Sequence, residues 1–252
     1  MMVANGMRIC AVIPVYNHET AVGDVVGGLL SAGLDCLLVN DGSNAVCTQV
    51  LDGLAAAHGG AVRALHRVAN GGKGAAVVDG LREAGRLGYT HVLQVDADGQ
   101  HALADIPVFL EAAARSPDSL VCGQPAFDSS MPRARRYGRY LTHVWVWINT
   151  LSFDIPDSMC GFRVYPLRPV LAMLDDERVG LRMDFDIEVL VRLHWRGVRM
   201  LWLPTRVTYP SDGISHFRVF LDNFLITRVH TRLFFGMVRR LPRLLTTRKK
   251  HA

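Results

Sequence analysis

The chain has 252 residues, half of them hydrophobic, and a formal charge of +5. That is enough for one α/β domain with a sizeable core, and the basic balance suits an anionic partner such as a nucleotide, a phospholipid surface or a nucleic acid. Cys10, Cys36, Cys47, Cys122 and Cys160 are scattered with no Cys-x-x-Cys pair, which speaks against a disulfide framework or a zinc site and for a reducing cytoplasm.

The first ten residues hold no basic segment leading into an apolar core, so secretion is not expected. From Arg8 to Cys122, the apolar runs ICAVIPV, CLLVN, AVRAL, HVLQV and SLVC alternate with stretches that read as helices. This predicts βαβ units and an α/β fold, a mostly parallel sheet with helices on both faces.

Ligands bind beyond the carboxyl ends of such strands, and a polar cluster follows each of the first four. They are Tyr16-Asn17, Asn40-Asp41-Gly42-Ser43, Asn70-Gly71-Gly72-Lys73-Gly74 and Asp96-Ala97-Asp98-Gly99-Gln100-His101. Asp41 taken alone reads as an N-cap for the next helix; at a strand end it can also accept from a base or ribose. Lys73 near a helix start suits a diphosphate, although the spacing is not that of a P-loop. Asp96 and Asp98, two apart on the loop leaving a buried strand, call for a compensating cation, and Gln100 offers a third oxygen; hard oxygen ligands suit Mg²⁺ or Mn²⁺. As an isolated pair, Asp98-Gly99 would serve equally as a solvated turn.

The first strand carries no Gly-x-Gly-x-x-Gly, and the chain has no Gly-x-Ser-x-Gly elbow, which disfavours a dinucleotide-binding enzyme and an α/β-hydrolase. Further on, Arg133, Arg135, Arg136 and Arg139 lead into an aromatic run, Tyr140 to Phe153, too short for the ~18 residues of a spanning helix. A helix is expected from Phe185 to Trp195, a strand from Met200 to Tyr209 and a helix from Phe217 to Leu241. In the last, Ile226, Val229, Leu233 and Met237 recur at helical spacing, with Arg228, Arg232 and Arg239 on another arc. That pattern serves a helix lying on an anionic membrane or one packed on its own domain; Arg248-Lys249-Lys250 favours the membrane.

Pro14-Val15-Tyr16-Asn17 and the three clusters that follow it resemble, in order and spacing, those of family 2 glycosyltransferases with the GT-A fold. The Asp-Ala-Asp-x-Gln-His form is similar to the dolichyl- and polyprenyl-phosphate sugar synthase branch. The likeness runs from Arg8 to about Pro210, giving a GT-A domain over 8–212 and a basic helical tail over 213–252. One departure is His18 before Glu19, where many relatives have Glu directly after the Asn.

The resemblance implies that Pro14, Tyr16, Asn17, Asp41, Lys73 and Asp96 bind a UDP- or GDP-sugar and that Asp98, Gln100 and Asp96 hold Mg²⁺ or Mn²⁺. It implies an inverting transfer, with Asp186 the first candidate base and Glu188 and Asp157 behind it. Because residues two apart on a helix do not share a face, one of Asp186 and Glu188 at most is expected to reach the site. Asp157 to Arg163 resembles the acceptor-side loop, and Arg133, Arg136, Arg139 and Arg163 are the candidates for an acceptor phosphate. The acceptor expected is a lipid, first of all a polyprenyl phosphate, then a lipid or aryl-polyene hydroxyl. The enzyme would sit on the anionic inner face of the cytoplasmic membrane, with no nucleic acid as partner. A non-catalytic membrane- or nucleic-acid-binding module is the remaining alternative.

Overall fold

The computed structural model describes residues 2–3, 6–126, 133–207 and 219–248. In chain order they form β1 (Met2–Val3), β2 (Met7–Val15), α1 (Val22–Ser31), β3 (Asp35–Asn40), α2 (Ala45–His58), β4 (Val62–His66), α3 (Lys73–Arg86), β5 (His91–Gln94), α4 (Ile106–Arg115) and β6 (Leu120–Ala126). The second half adds α5 (Arg133–Thr150), β7 (Arg163–Pro166), α6 (Leu167–Asp176), α7 (Phe185–Trp195), β8 (Met200–Arg206) and α8 (Val219–Arg248).

The strands form one sheet in the order β4-β3-β2-β5-β7-β6-β8, with β1 paired to β2. β1 and β7 run antiparallel to their neighbours; the other pairings are parallel. The continuous apolar runs are explained by burial on both faces. Along β2, Val12 points into one core cluster and Ile13 into the other, the period-two alternation of a strand. One cluster lies beneath α1, α2 and α4. The other lies beneath α3, α6, α7 and α8.

Gly80 lets α3 press onto the sheet, because a Cβ there would come within 2.4 Å of Val12. The N-cap of α2 is Asn44, whose side chain accepts from the Cys47 N–H, and not Asp41.

Two expectations change. The short strand β7, with its Arg and Tyr, is not announced by any apolar run, yet it pairs with both β5 and β6 in the middle of the sheet. β8 is described from Met200 to Arg206, and the end of the expected strand, Thr208 and Tyr209, lies outside the described residues. The stripe Ile226, Val229, Leu233 and Met237 is buried, at most 9% exposed, in the same cluster as α7. That stripe packs on the domain, so it is not a membrane face. The expected boundary between 212 and 213 and Lys249-Lys250 lie outside the described residues, as does the side chain of Arg248. Among the described residues, no helix is long and apolar enough to cross a membrane.

Candidate active site

The four clusters converge because parallel strands β2, β3, β4 and β5 end on the same edge of the sheet. Asn17, at a positive φ of 54°, ties the first cluster to the second. Its backbone N–H donates to Ser43 Oγ at 3.1 Å, and its side-chain oxygen accepts from the Asn44 N–H at 2.8 Å. Pro14 and Tyr16 are partly exposed beside it.

Asp41 is buried, and its carboxylate accepts from Arg67, from the Gly71 N–H at 2.9 Å and from the Gly72 N–H at 2.8 Å. A Cβ at Gly71 would lie 2.4 Å from the Arg67 guanidinium and push it aside. The carboxylate thereby shapes the turn that starts α3.

Lys73 opens α3 and points inward. Its Nζ lies 2.8 and 2.9 Å from the two oxygens of Asp96 and 2.9 Å from Asp186, brought in from the second half of the chain by α7. Burial alone would lower its pKa, but the two carboxylates outweigh that and raise it above the ordinary lysine range. Burial likewise works to raise Asp96, and the Lys73 charge with a hydrogen bond from His101 holds it well below the usual carboxylate range.

Beneath these groups runs a buried chain of polar contacts. Gln94 Nε2 reaches Asp186 Oδ1 at 3.5 Å, the Tyr165 hydroxyl donates to Gln94 at 3.2 Å, and Arg163 donates to Tyr165 at 3.2 Å, to the Asp186 carbonyl at 2.9 Å and to the Ser158 carbonyl at 3.1 Å. Gly161 leaves room for it, since a Cβ would sit 2.7 Å from Lys73 Nζ and 3.0 Å from Asp96. Arg163, expected to meet an acceptor phosphate, is 1% exposed and braces Asp186 from below instead.

The other candidates separate. Glu188 turns away from the site into full burial, where it accepts from the Gly180 N–H at 2.7 Å, from Arg192 at 2.8 Å and from Arg232 of α8. As the helical period requires, Asp186 alone of this pair reaches the strand-end clusters. Asp157 accepts both arms of Arg139 at 2.7 Å and the N–H groups of Met159 and Cys160 at 2.9 Å. Against the upward pull of burial, His143 and Arg139 hold its pKa at about 2. Arg139 is therefore committed to Asp157. Arg133 and Arg136 lie in the first turn of α5, with side chains outside the described residues.

Asp98 accepts the Gln100 backbone N–H at 3.0 Å. Its pKa is raised first by burial and then by neighbouring Asp96. A buried carboxylate beside a second one is the electrostatic situation that a cation relieves, so Asp98, Asp96 and the Gln100 amide fit a hard divalent ion. Among the described residues, no three His, Cys, Asp or Glu side chains gather into a closed metal cage.

Gln94 and Tyr165 carried no role in the sequence reading, and Ser158 and Gly161 entered it only as part of the loop from Asp157 to Arg163. A glutamine closing the buried run HVLQ just before the acidic cluster was the available signal. Tyr165 had none.

Among known proteins, polyprenol monophosphomannose synthase of Mycolicibacterium smegmatis is 28% identical over 82% of this chain and 80% of its own length. Undecaprenyl-phosphate mannosyltransferase of Micrococcus luteus is 27% identical over 79% of this chain and 82% of its own. Among solved structures, the mannosyltransferase PcManGT from Pyrobaculum calidifontis, in complex with GDP-Man and Mn²⁺, superposes with a TM-score of 0.61 at 16% identity over 92% of this chain, a likeness of fold; the chain spans 64% of that protein. The sequence pattern of glycosyl transferase family 2 matches residues 10–171, which take in β2 through β7 and all four strand-end clusters, and the chain belongs to that family.

Proposed function

We propose that the protein moves a sugar, with inversion, from a nucleotide-sugar to the phosphate of a membrane lipid carrier of the polyprenyl type. The observation that carries this reading is the state of the candidate bases: Asp186 is paired to Lys73 and Asp157 to Arg139, while Glu188 is fully buried on the face of α7 turned away from the site. A carboxylate held by a lysine or arginine is a poor acceptor for a hydroxyl proton. A phosphate acceptor is already an anionic nucleophile and needs no base. The named activities of the two curated relatives, both on polyprenyl-type phosphates, support the same choice.

In this reading, Lys73 and the α3 N-terminus face the donor diphosphate, and the Asn17–Ser43 clamp with the Asp41-shaped turn fixes the nucleotide end. Asp186, braced by Arg163 and Gln94, borders the reacting centre on the acceptor side. Asp98, Asp96 and Gln100 would hold Mg²⁺ or Mn²⁺, which supplies Lewis-acid stabilisation of the departing diphosphate. The remaining work, orienting donor and acceptor, falls to the side chains.

The test is transfer from UDP- and GDP-sugars to a polyprenyl phosphate and to the matching free polyprenol, scored by mass spectrometry. The phosphate should be glycosylated and the alcohol not; equal use of the alcohol would sink the lipid-phosphate reading. Asp98→Asn removes a carboxylate that burial disfavours, so the ligand-free protein should melt no lower than wild type. It should nevertheless lose the Mn²⁺-dependent rise in Tm with nucleotide-sugar.

A further inference from the structure

α8 has two apolar faces. One is the buried stripe described above. The other, on nearly the opposite side of the helix, consists of Phe220, Phe224, Phe235, Val238 and Leu245, with Phe220 93%, Phe224 63% and Phe235 60% exposed. Single exposed hydrophobic residues are ordinary, but a row of aromatics along one arc of a long helix marks an interaction surface. The row continues onto α5, which packs against α8 through Trp145 stacked on His230 at 6.1 Å between ring centroids; Leu141 and Trp145 are exposed there.

Charge says what covers this surface. α5 and α8 together contain ten of the chain's 28 basic side chains and one of its 23 acidic ones, Asp222, which is buried. The two helices thus carry a net +9 and the rest of the chain −4. Arg228 and Arg239 are exposed along one border of the aromatic row, with no acidic partner among the described residues.

We propose that the outer face of α8, continued by α5, docks on an anionic phospholipid bilayer, with its aromatic row in the headgroup layer and its arginines on lipid phosphates. An arc of Phe and Leu bordered by Arg is the composition of a helix that lies in the membrane interface. Trp and Arg suit the same depth. A second copy of the chain is disfavoured as occupant, because it would bring two +9 surfaces together.

The same helix packs behind the site. Arg232 holds Glu188, on a different face of α7 from Asp186, and Asp222 lies 3.8 Å from Arg182, whose loop rests against Gly72. Docking therefore sets the bilayer on the α7 side of the protein, the side that supplies Asp186. The inference rests on the lipid-phosphate reading for its purpose, and on α5 and α8 alone for its geometry.

The full-length protein should be sedimented with vesicles of phosphatidylcholine alone and of phosphatidylcholine with phosphatidylglycerol. Retention should require phosphatidylglycerol and fall as salt rises. Phe224→Ser with Phe235→Ser should lower partitioning by about tenfold or more. Both positions are exposed, so the thermal transition and its shift by nucleotide-sugar should stay as in wild type. Failure of the anionic vesicles to retain wild type would overturn the docking surface, and so would a dimer at micromolar concentration that the Phe→Ser pair makes monomeric. Vesicle binding without any response to nucleotide-sugars would uphold the surface and strike at the glycosyl-transfer reading instead.

Discussion

Lys73 is a cation largely withdrawn from solvent, its side chain 16% exposed, and shared by Asp96 and Asp186, carboxylates that lie 90 residues apart in sequence and come from opposite halves of the chain. Removing one partner of a buried ion pair leaves an uncompensated charge, at a cost of about 3–5 kcal/mol. Lys73→Met should therefore lower the urea midpoint by several kcal/mol in stability at pH 7. The pH dependence has a definite sign. Because Asp96 is held below its ordinary range, it stabilises the fold above its unfolded pKa of about 3.9, and that stabilisation is lost as pH falls through and below that value. In the variant, the same fall protonates the stranded carboxylates and relieves them. The gap between wild type and variant should narrow in acid. A gap under about 1 kcal/mol at pH 7, the worth of a surface pair, would show that Lys73 is solvated and not the internal counter-ion drawn here.

At the scale of elements, the α5–α8 contact holds a group whose titration is readable. His230, facing Asn149 Nδ2 at 3.2 Å and the Trp145 ring, is pushed down to about 4 by burial. Between about 6.5 and about 4, the unfolded chain takes up a proton that the folded chain refuses, so stability falls as pH falls. The loss between pH 7 and pH 5 comes to about 2 kcal/mol. His230→Phe should remove that part of the slope whatever its offset at pH 7, as read from urea midpoints at the two pH values; an unchanged slope would mean that the contact admits water. The same pair of helices marks where elements were legible in the sequence. β2, β3 and β5 announce themselves because doubly buried strands must be apolar nearly throughout, and the polar residues at the ends of β2 through β5 then fall on one edge. A helix with apolar residues on two arcs does not say which arc the domain covers. The stripe in α8 suited a membrane face and a core face alike and is core, and the surface left outside is the one with the phenylalanines. β7 was hidden because Arg163 and Tyr165 find hydrogen-bond partners inside the fold, and no periodicity records a partner 23 or 71 residues away.

For the whole molecule, the question is whether the basic C-terminal segment is an appendage or part of the domain. Ile226, Val229, Leu233 and Met237 close over the cluster that contains Phe185, Val189 and Trp195, the helix that presents Asp186. Full burial of four such side chains stabilises by roughly 6–12 kcal/mol, at about 1.5–3 kcal/mol each. That is comparable to the ~5–15 kcal/mol total stability of an ordinary domain. Glu188 would also lose Arg232, one of the cations that make its burial tolerable. A chain ending at residue 212 should therefore fail to form a native core. It should bind a hydrophobic dye, lose near-UV circular dichroism and show no cooperative melt, even though every strand and all four nucleotide-side clusters are still present. A cooperative melt at the wild-type temperature would instead make the segment a separable unit, and Asp186 would then be positioned by α7 and the sheet without help from α8.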